Sequence, residues 1–302
     1  MKVALSLVMF VLLIISSVYG LAIYQQSRET SSNFSKEGQY EKFTILKLGY
    51  GNETGKVGLI EGGEDVLPSG PESFAVTDAK IYILDTVNER VQIFHRDGKF
   101  DHAILNMRGS DMVVKNGGTV FVFDPSLNTV LEYQPVTSSM ARYRIPGNFV
   151  GSLEFDENNN LNVRISEEKV YTLNMPDGKF ESRTVPERYT YEKIDERRRK
   201  IVEKQLVVAT DVNILGSIEY LGDGPSKSMF VIVEELLPAR EIHVKKEIRW
   251  YDSNGRLKDF IPIEIDYVAH PTRELILDEK GNIYHLRPLQ NHLLVEQWRR
   301  RG

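Results

Sequence analysis

Short strand-type runs return along this chain, and each return has the layout of a small antiparallel meander. The stretch SFAVTDAKIYILDTVNERVQIFHRDGKF shows it best, with Phe74 to Val76, Ile81 to Leu84 and Val91 to Phe94 as apolar-rich runs separated by turn residues. Asp97-Gly98 follows, where glycine tolerates the positive φ of a tight turn, and a fourth strand starts at Phe100. The layout occurs four more times. The second copy places strands at Met112 to Val114, Val120 to Phe123 and Val130 to Tyr133. The third is SLEFDENNN, LNVRI and KVYTLNMPDGKF, which repeats Asp97 to Phe100 as Asp177 to Phe180. A fourth runs through SIEYLGDG, MFVIVEE and KKEIRWYDSNGRL, and a fifth through ELILDEKGN, IYHLRP and HLLVEQW. A chain that repeats one sheet in this way is expected to be all-β.

With Val76, Val114, Phe155, Tyr220 and Leu277 taken as equivalent, the copies are spaced by 38, 41, 65 and 57 residues. The first two spacings lie near the ~40-residue period of propeller blades, and the last two need insertions. The run Ile83-Leu84-Asp85-Thr86-Val87-Asn88-Glu89-Arg90-Val91-Gln92-Ile93-Phe94, then Asp97-Gly98-Lys99-Phe100, resembles the NHL-type β-propeller repeat: an apolar strand, Asp, Asn, Arg, a second apolar strand and a closing Asp-Gly. Copy one matches that pattern, whereas the other four keep strands and turns and lose the Asp/Asn/Arg triplet. The resemblance covers roughly residues 43–300 and implies a β-propeller of five recognisable four-stranded blades. A sixth has room in the 65-residue interval, where Val207 to Ala209 is a spare apolar run. In an NHL-type blade Asp85, Asn88 and Arg90 fix the loop between the second and third strands. Asx-type bonds to the turn backbone explain the Asp and Asn, and Arg90 can pair with Asp85 across the hairpin.

The chain has no cysteine, which excludes disulfides, thiol nucleophiles, thiolate metal sites and an acylated lipoprotein cysteine. Its net charge of −5 offers no electrostatic footprint for nucleic acid. Residues 3–24 carry no charge and are long enough to cross a ~30 Å hydrocarbon core as a helix. Residues 1–24 therefore read as a signal anchor or signal peptide, placing the rest of the chain outside the cytoplasm. The full length of the run suits an uncleaved membrane anchor, with Tyr19 and Tyr24 at the interfaces. Val18-Tyr19-Gly20 and the compact apolar stretch Leu5 to Ile15 suit cleavage and secretion. Residues 25–40 are polar and read as a flexible stalk, leaving 41–302 as the propeller.

Within that domain Phe43 to Leu48 is a lone strand, and the fifth copy ends after three strands. Pairing FTILKL beside Leu293 to Trp298 would complete the last blade and leave no free edge. Residues 187–206, ERYTYEKIDERRRKIVEKQL, predict an inserted helix: Pro186 suits its start, Tyr191, Ile194 and Ile201 share a face, and Asp195–Arg199 and Glu196–Lys200 are favourable i,i+4 pairs. The fourth copy is enlarged into a long hairpin, with Glu234, Glu235, Glu241, Lys245, Lys246 and Glu247 lining a projection that offers a contact arm or a decorated loop.

Standard catalytic signatures are absent: no G-x-S-x-G, no P-loop, no H-E-x-x-H, no G-x-G-x-x-G. His285 and His292 lack a third histidine at matching spacing and read as ordinary strand residues. In a propeller, chemistry belongs in the central channel, fed by the loops that enter each innermost strand. The repeat alignment places Glu72, Ser73, Asp111, Ser152, Ser217 and Glu274 at those channel mouths. Asp111 and Glu274 are the candidate metal ligands among them, for a hard cation such as Ca²⁺ with its six to eight oxygens at ~2.4 Å. Against this, Ser and Asp also start strands simply to satisfy local N–H groups. The sequence thus predicts an extracytoplasmic, membrane-tethered propeller serving as a binding or scaffold module for a protein or glycan. The competing reading is a Ca²⁺-dependent propeller hydrolase or lyase.

Overall fold

A computed structural model describes residues 39–301 except 148–150, 157, 166–168, 175–177, 185–188, 212 and 238–242. The expected signal or anchor segment and nearly all of the stalk lie outside the described residues. Among the described residues, no helix is long and apolar enough to cross a membrane. The described chain is all-β with two short 3₁₀ turns, at Thr86–Asn88 and Pro225–Lys227. Its strands form six antiparallel sheets, five of four strands and one of three. The chain divides into two compact units, one built mainly from 41–191 and 264–300, the other mainly from 192–263.

The first unit opens with β1 (Tyr40–Leu48), followed by the meander β2 (Ser73–Val76), β3 (Lys80–Asp85), β4 (Arg90–His95) and β5 (Phe100–Leu105). A second meander is β6 (Asp111–Val114), β7 (Val120–Asp124), β8 (Thr129–Gln134) and β9 (Ser139–Arg144). The third is β10 (Ser152–Phe155), β11 (Leu161–Arg164), β12 (Lys169–Asn174) and β13 (Lys179–Thr184). Each follows chain order, so every connection is a hairpin. Asp-led turns make these reversals. At 97–99 the Asp97 carboxylate accepts from the Lys99 N–H at 3.1 Å while Gly98 takes φ 83°. The Asp156 carboxylate likewise accepts the N–H groups of residues two and four places on.

Alternation within single strands explains how the sheets of this unit stack. In β3, Ile81 and Ile83 enter one core while Tyr82 and Leu84 enter the next. In β7, Val120 and Val122 face that second core and Phe121 and Phe123 a third. A strand whose two faces each supply a different core must lie between two packed sheets, which accounts for the near-continuous apolar runs in the sequence. The first strands β2, β6 and β10 touch in succession, so their N-terminal ends gather.

The other unit holds the three-stranded sheet β14 (Tyr191–Asp195), β15 (Arg198–Ile201) and β16 (Leu206–Ala209). The helix expected over 187–206 is therefore corrected: its described part is strand and turn. The Asp195 carboxylate, rather than pairing one helical turn on with Arg199, caps a reversal by accepting from the Arg197 N–H at 2.8 Å and pairs with Arg198. Arg199 donates instead to the carbonyls of Leu215 and Gly216. Pairing of β15 with β16 buries Ile201, Leu206 and Val208, and that burial overrides helix propensity and charge spacing.

The same unit contains β17 (Ile214–Asp223), β18 (Met229–Leu237), β19 (His243–Tyr251) and β20 (Leu257–Ile263), with β18 and β19 paired from Met229–Tyr251 out to Leu237–His243. The long hairpin is present, although Glu241 lies outside the described residues. Its charges are not all on a solvated projection. Glu235 and Glu247 are buried and flank Arg249, which donates to Glu247 at 2.6 Å, to Glu235 at 2.5 Å and to the Ala209 carbonyl at 2.5 Å. The arrangement ties β16 to β18 and β19.

The chain returns to the first unit with β21 (Leu275–Leu277), β22 (Ile283–Pro288) and β23 (Leu293–Arg300). The sheet order is β1-β23-β22-β21, so the N-terminal strand completes the last meander as its outer strand. Leu46 and Leu48 of β1 are buried in the same core as Ile81, Leu286 and Val295.

Candidate functional site

Ser73, Asp111 and Ser152 each open the first strand of a meander, and Glu274 immediately precedes another. Asp111 is the centre of the arrangement. Its Oδ1 accepts from Ser73 Oγ at 2.8 Å, from the Met112 N–H at 2.8 Å and from Arg273 Nε at 2.9 Å. Its Oδ2 accepts from the Leu153 N–H at 2.7 Å and from Arg273 Nη2 at 2.8 Å. Arg273 also donates to the Leu153 carbonyl at 2.7 Å, and its own N–H donates to the Glu72 carbonyl at 3.0 Å. One guanidinium thus links the entry of β21 to β6 and β10, while Ser73 brings in β2. Burial opposes the charge on Arg273, but Asp111 outweighs it and raises the guanidinium above its ordinary pKa.

Glu72 accepts from Thr272 Oγ1 at 3.2 Å. Burial raises its carboxyl above the ordinary value; the Thr272 bond opposes that shift and nearby Asp111 adds to it. Glu274 faces a different set of partners. Its Oε2 accepts from the Tyr267 phenol at 2.8 Å, and that phenol lies 2.6 Å from His285 Nε2. With the phenolic proton directed to Glu274, His285 donates to the phenol oxygen. Burial, with Glu274 second, raises the Tyr267 phenol well above its ordinary pKa. His285 is fully buried and stacks on Trp298 at 5.7 Å. Ser152 in β10 is half-buried opposite Arg164 of β11, and Ser217 belongs to the other unit, where it donates to Glu234 at 2.8 Å.

Five donors on two oxygens leave Asp111 little capacity for a cation, and a neighbouring guanidinium repels one. Among the described residues, no group of three or more His, Asp or Glu side chains is placed to hold a metal ion. Of the two residues expected as metal ligands, Asp111 serves Arg273 and backbone amides and Glu274 serves Tyr267. Arg273 and Tyr267 were missed from sequence. The available signal was positional, because Arg273 stands one place before the aligned Glu274, as Glu72 stands one place before Ser73.

The triplet in copy one forms a separate cluster. Asp85, fully buried, accepts from Arg90 Nε at 2.9 Å, from Asn88 Nδ2 at 2.9 Å and from the Gly58 N–H at 2.8 Å. Arg90 then donates to the carbonyls of Asn52, Glu53 and Lys56. These contacts pin the 52–58 segment to the first meander. In copy two, Asp124 caps its own turn through the Ser126 and Leu127 N–H groups, and Thr129 stands where copy one has Arg90.

No family model matches the chain, and no curated protein does. Solved structures do. A candidate exported protein of Bacteroides fragilis aligns over 89% of this chain and 98% of its own, with a TM-score of 0.51 and 12% identity. A streptogramin B lyase covers 88% of this chain and 100% of its own at TM-score 0.49 and 9% identity. A virginiamycin B lyase from Staphylococcus aureus covers 87% and 99% at TM-score 0.47 and 11% identity. The neighbours include β-propeller proteins, and at these identities the likeness concerns the fold alone.

Proposed function

We propose that the chain is an NHL-type propeller, tethered to a membrane through residues 3–24, that binds a protein partner on the outer side, with the three-stranded sheet β14–β16 as its sixth repeat. The observation that carries this reading is the β18–β19 hairpin. Near its end Leu236 and Leu237 are 36% and 37% exposed, and Ile214, the cross-strand partner of Leu236, is 49% exposed. Leu236 and Ile214 are cross-strand neighbours, and exposed apolar pairs of this kind mark contact surface more often than isolated side chains do. The occupied carboxylate of Asp111 argues in the same direction, because it supports a locked strand junction rather than metal-assisted hydrolysis or elimination. The charge-free N-terminal run supports export, and the Bacteroides fragilis neighbour is itself a candidate exported protein.

A photo-crosslinking residue placed at Leu237 in the full chain tests the reading. A discrete crosslinked species from Leu237, absent when the probe replaces exposed Leu127 of β7–β8, is the expected result. No crosslink from Leu237, Leu236 or Ile214 in native membranes would sink it. Retention of one divalent ion after dialysis, lost in Asp111→Ala, would favour the hydrolase or lyase reading.

A further inference from the structure

A cavity of about 470 Å³ opens in the first unit between the meander β2–β5 and the sheet that contains β22 and β23, and its lining includes Arg96, Arg299, Lys280, Asp78, Asp278 and Tyr284. Three cations face two carboxylates, and both carboxylates are already engaged. Asp278 Oδ1 accepts from the N–H groups of Lys280 and Asn282. Its Oδ2 accepts from Asn282 Nδ2 at 2.8 Å and from the Tyr284 phenol at 3.0 Å. Asp78 pairs with Lys280 at 2.6 Å on the exposed rim.

Two guanidinium groups remain. Arg96 lies over the Tyr284 ring at 5.1 Å and donates through Nη2 to the Tyr284 phenol at 3.2 Å. Its buried Nη1 has no hydrogen-bond partner among the described residues. Arg299 sits over the Phe43 ring at 5.2 Å and makes one long contact, 3.5 Å, to Gln297 Oε1. Neither forms an ion pair among the described residues, although the chain as a whole is acidic. A guanidinium whose carbon lies over an aromatic ring has its position restricted in advance, so it loses less freedom when its N–H groups meet an oxyanion.

We propose that this cavity binds a small oxyanion, a carboxylate or a phosphate, between Arg96 and Arg299 with Lys280 at the rim. The volume suits a compact metabolite-sized molecule and falls within the usual range for ligand pockets. The site stands apart from the partner-binding arm: the two use different residues, and neither assay reads the other.

Isothermal titration of the full chain in detergent, with phosphate, citrate or glucuronate at constant ionic strength, tests the proposal. One-site saturable heat with at least one probe is expected, and the tighter probe assigns the anion class. Arg96→Gln and Arg299→Gln should each weaken that binding about tenfold or more, as loss of a charge-assisted bidentate contact does. Lys115→Gln, outside the cavity, should leave it unchanged. Arg299 is exposed, so its variant remains informative if Arg96→Gln unfolds. Absence of saturable heat with all three probes, or equal weakening by Lys115→Gln, overturns the site.

Discussion

Glu72 and Arg273 each stand one residue before a position the repeat alignment marks, and each meets its partners across great sequence distances. Arg273 reaches Asp111 over 162 positions. No local pattern announces such a bond, which is why the alignment found Asp111 and missed the guanidinium that occupies it. Asp85, Asn88 and Arg90 were legible for the opposite reason, since their mutual contacts lie within one hairpin. The pH behaviour of the junction follows from Glu72. Burial raises its carboxyl above the ordinary 4.5, with Asp111 adding to the shift and Thr272 opposing it. The folded chain therefore holds this proton more firmly than the unfolded chain does. Its stabilising contribution is complete in acid below the unfolded value and is lost as pH rises through the raised one. Glu72→Gln stays neutral throughout, so its stability relative to wild type should increase as pH rises. Urea unfolding of both proteins in steps from about pH 4 to about pH 8 checks this. A stability difference that does not vary with pH would show that Glu72 is not held in this way.

At the scale of the element, strands that recur with a fixed layout were readable, and so was the role of β1, because a meander of three strands at one end and a spare strand at the other imply each other. The three-stranded sheet was read as helix since its charges fall at helical spacing, while the burial of Ile201, Leu206 and Val208 that selects the strand form arises only on folding. Sequence likewise could not show that Glu235 and Glu247 turn inward onto Arg249. The closing strand gives a direct test of element energetics. Leu46 is 4% exposed within a shared core, whereas neighbouring Lys47 is exposed. Leu46→Ala should lower the unfolding free energy by about 2–4 kcal/mol through lost burial and the cavity left behind. Lys47→Ala should change it by less than about 0.5 kcal/mol. Equal effects in urea melts would mean that β1 adds little to the sheet it completes.

For the whole molecule, the division between a charge-free run of residues 3–24 and a charged β domain sets a physical asymmetry. A segment without a charge loses little on entering hydrocarbon, and the flanking Lys2 favours keeping its start on the cytoplasmic side. The β domain carries an excess of acids and opposes such entry, so the proposed tether requires the two parts to partition to different phases. Alkaline carbonate should therefore leave the full chain in the membrane pellet, and protease added to spheroplasts should degrade the domain without lysis. Replacing Leu12 and Ile14 by Arg places two charges at the centre of the run, at a cost of about 2.5–3.5 kcal/mol each on insertion scales. That variant should lose both pelleting and protease sensitivity. A cut chain found outside the cell would assign the run to cleavage and keep the domain exported. Uncut wild-type chain in the cytosol, sheltered from protease, would remove the tether and with it the outward-facing partner surface proposed for the β18–β19 arm.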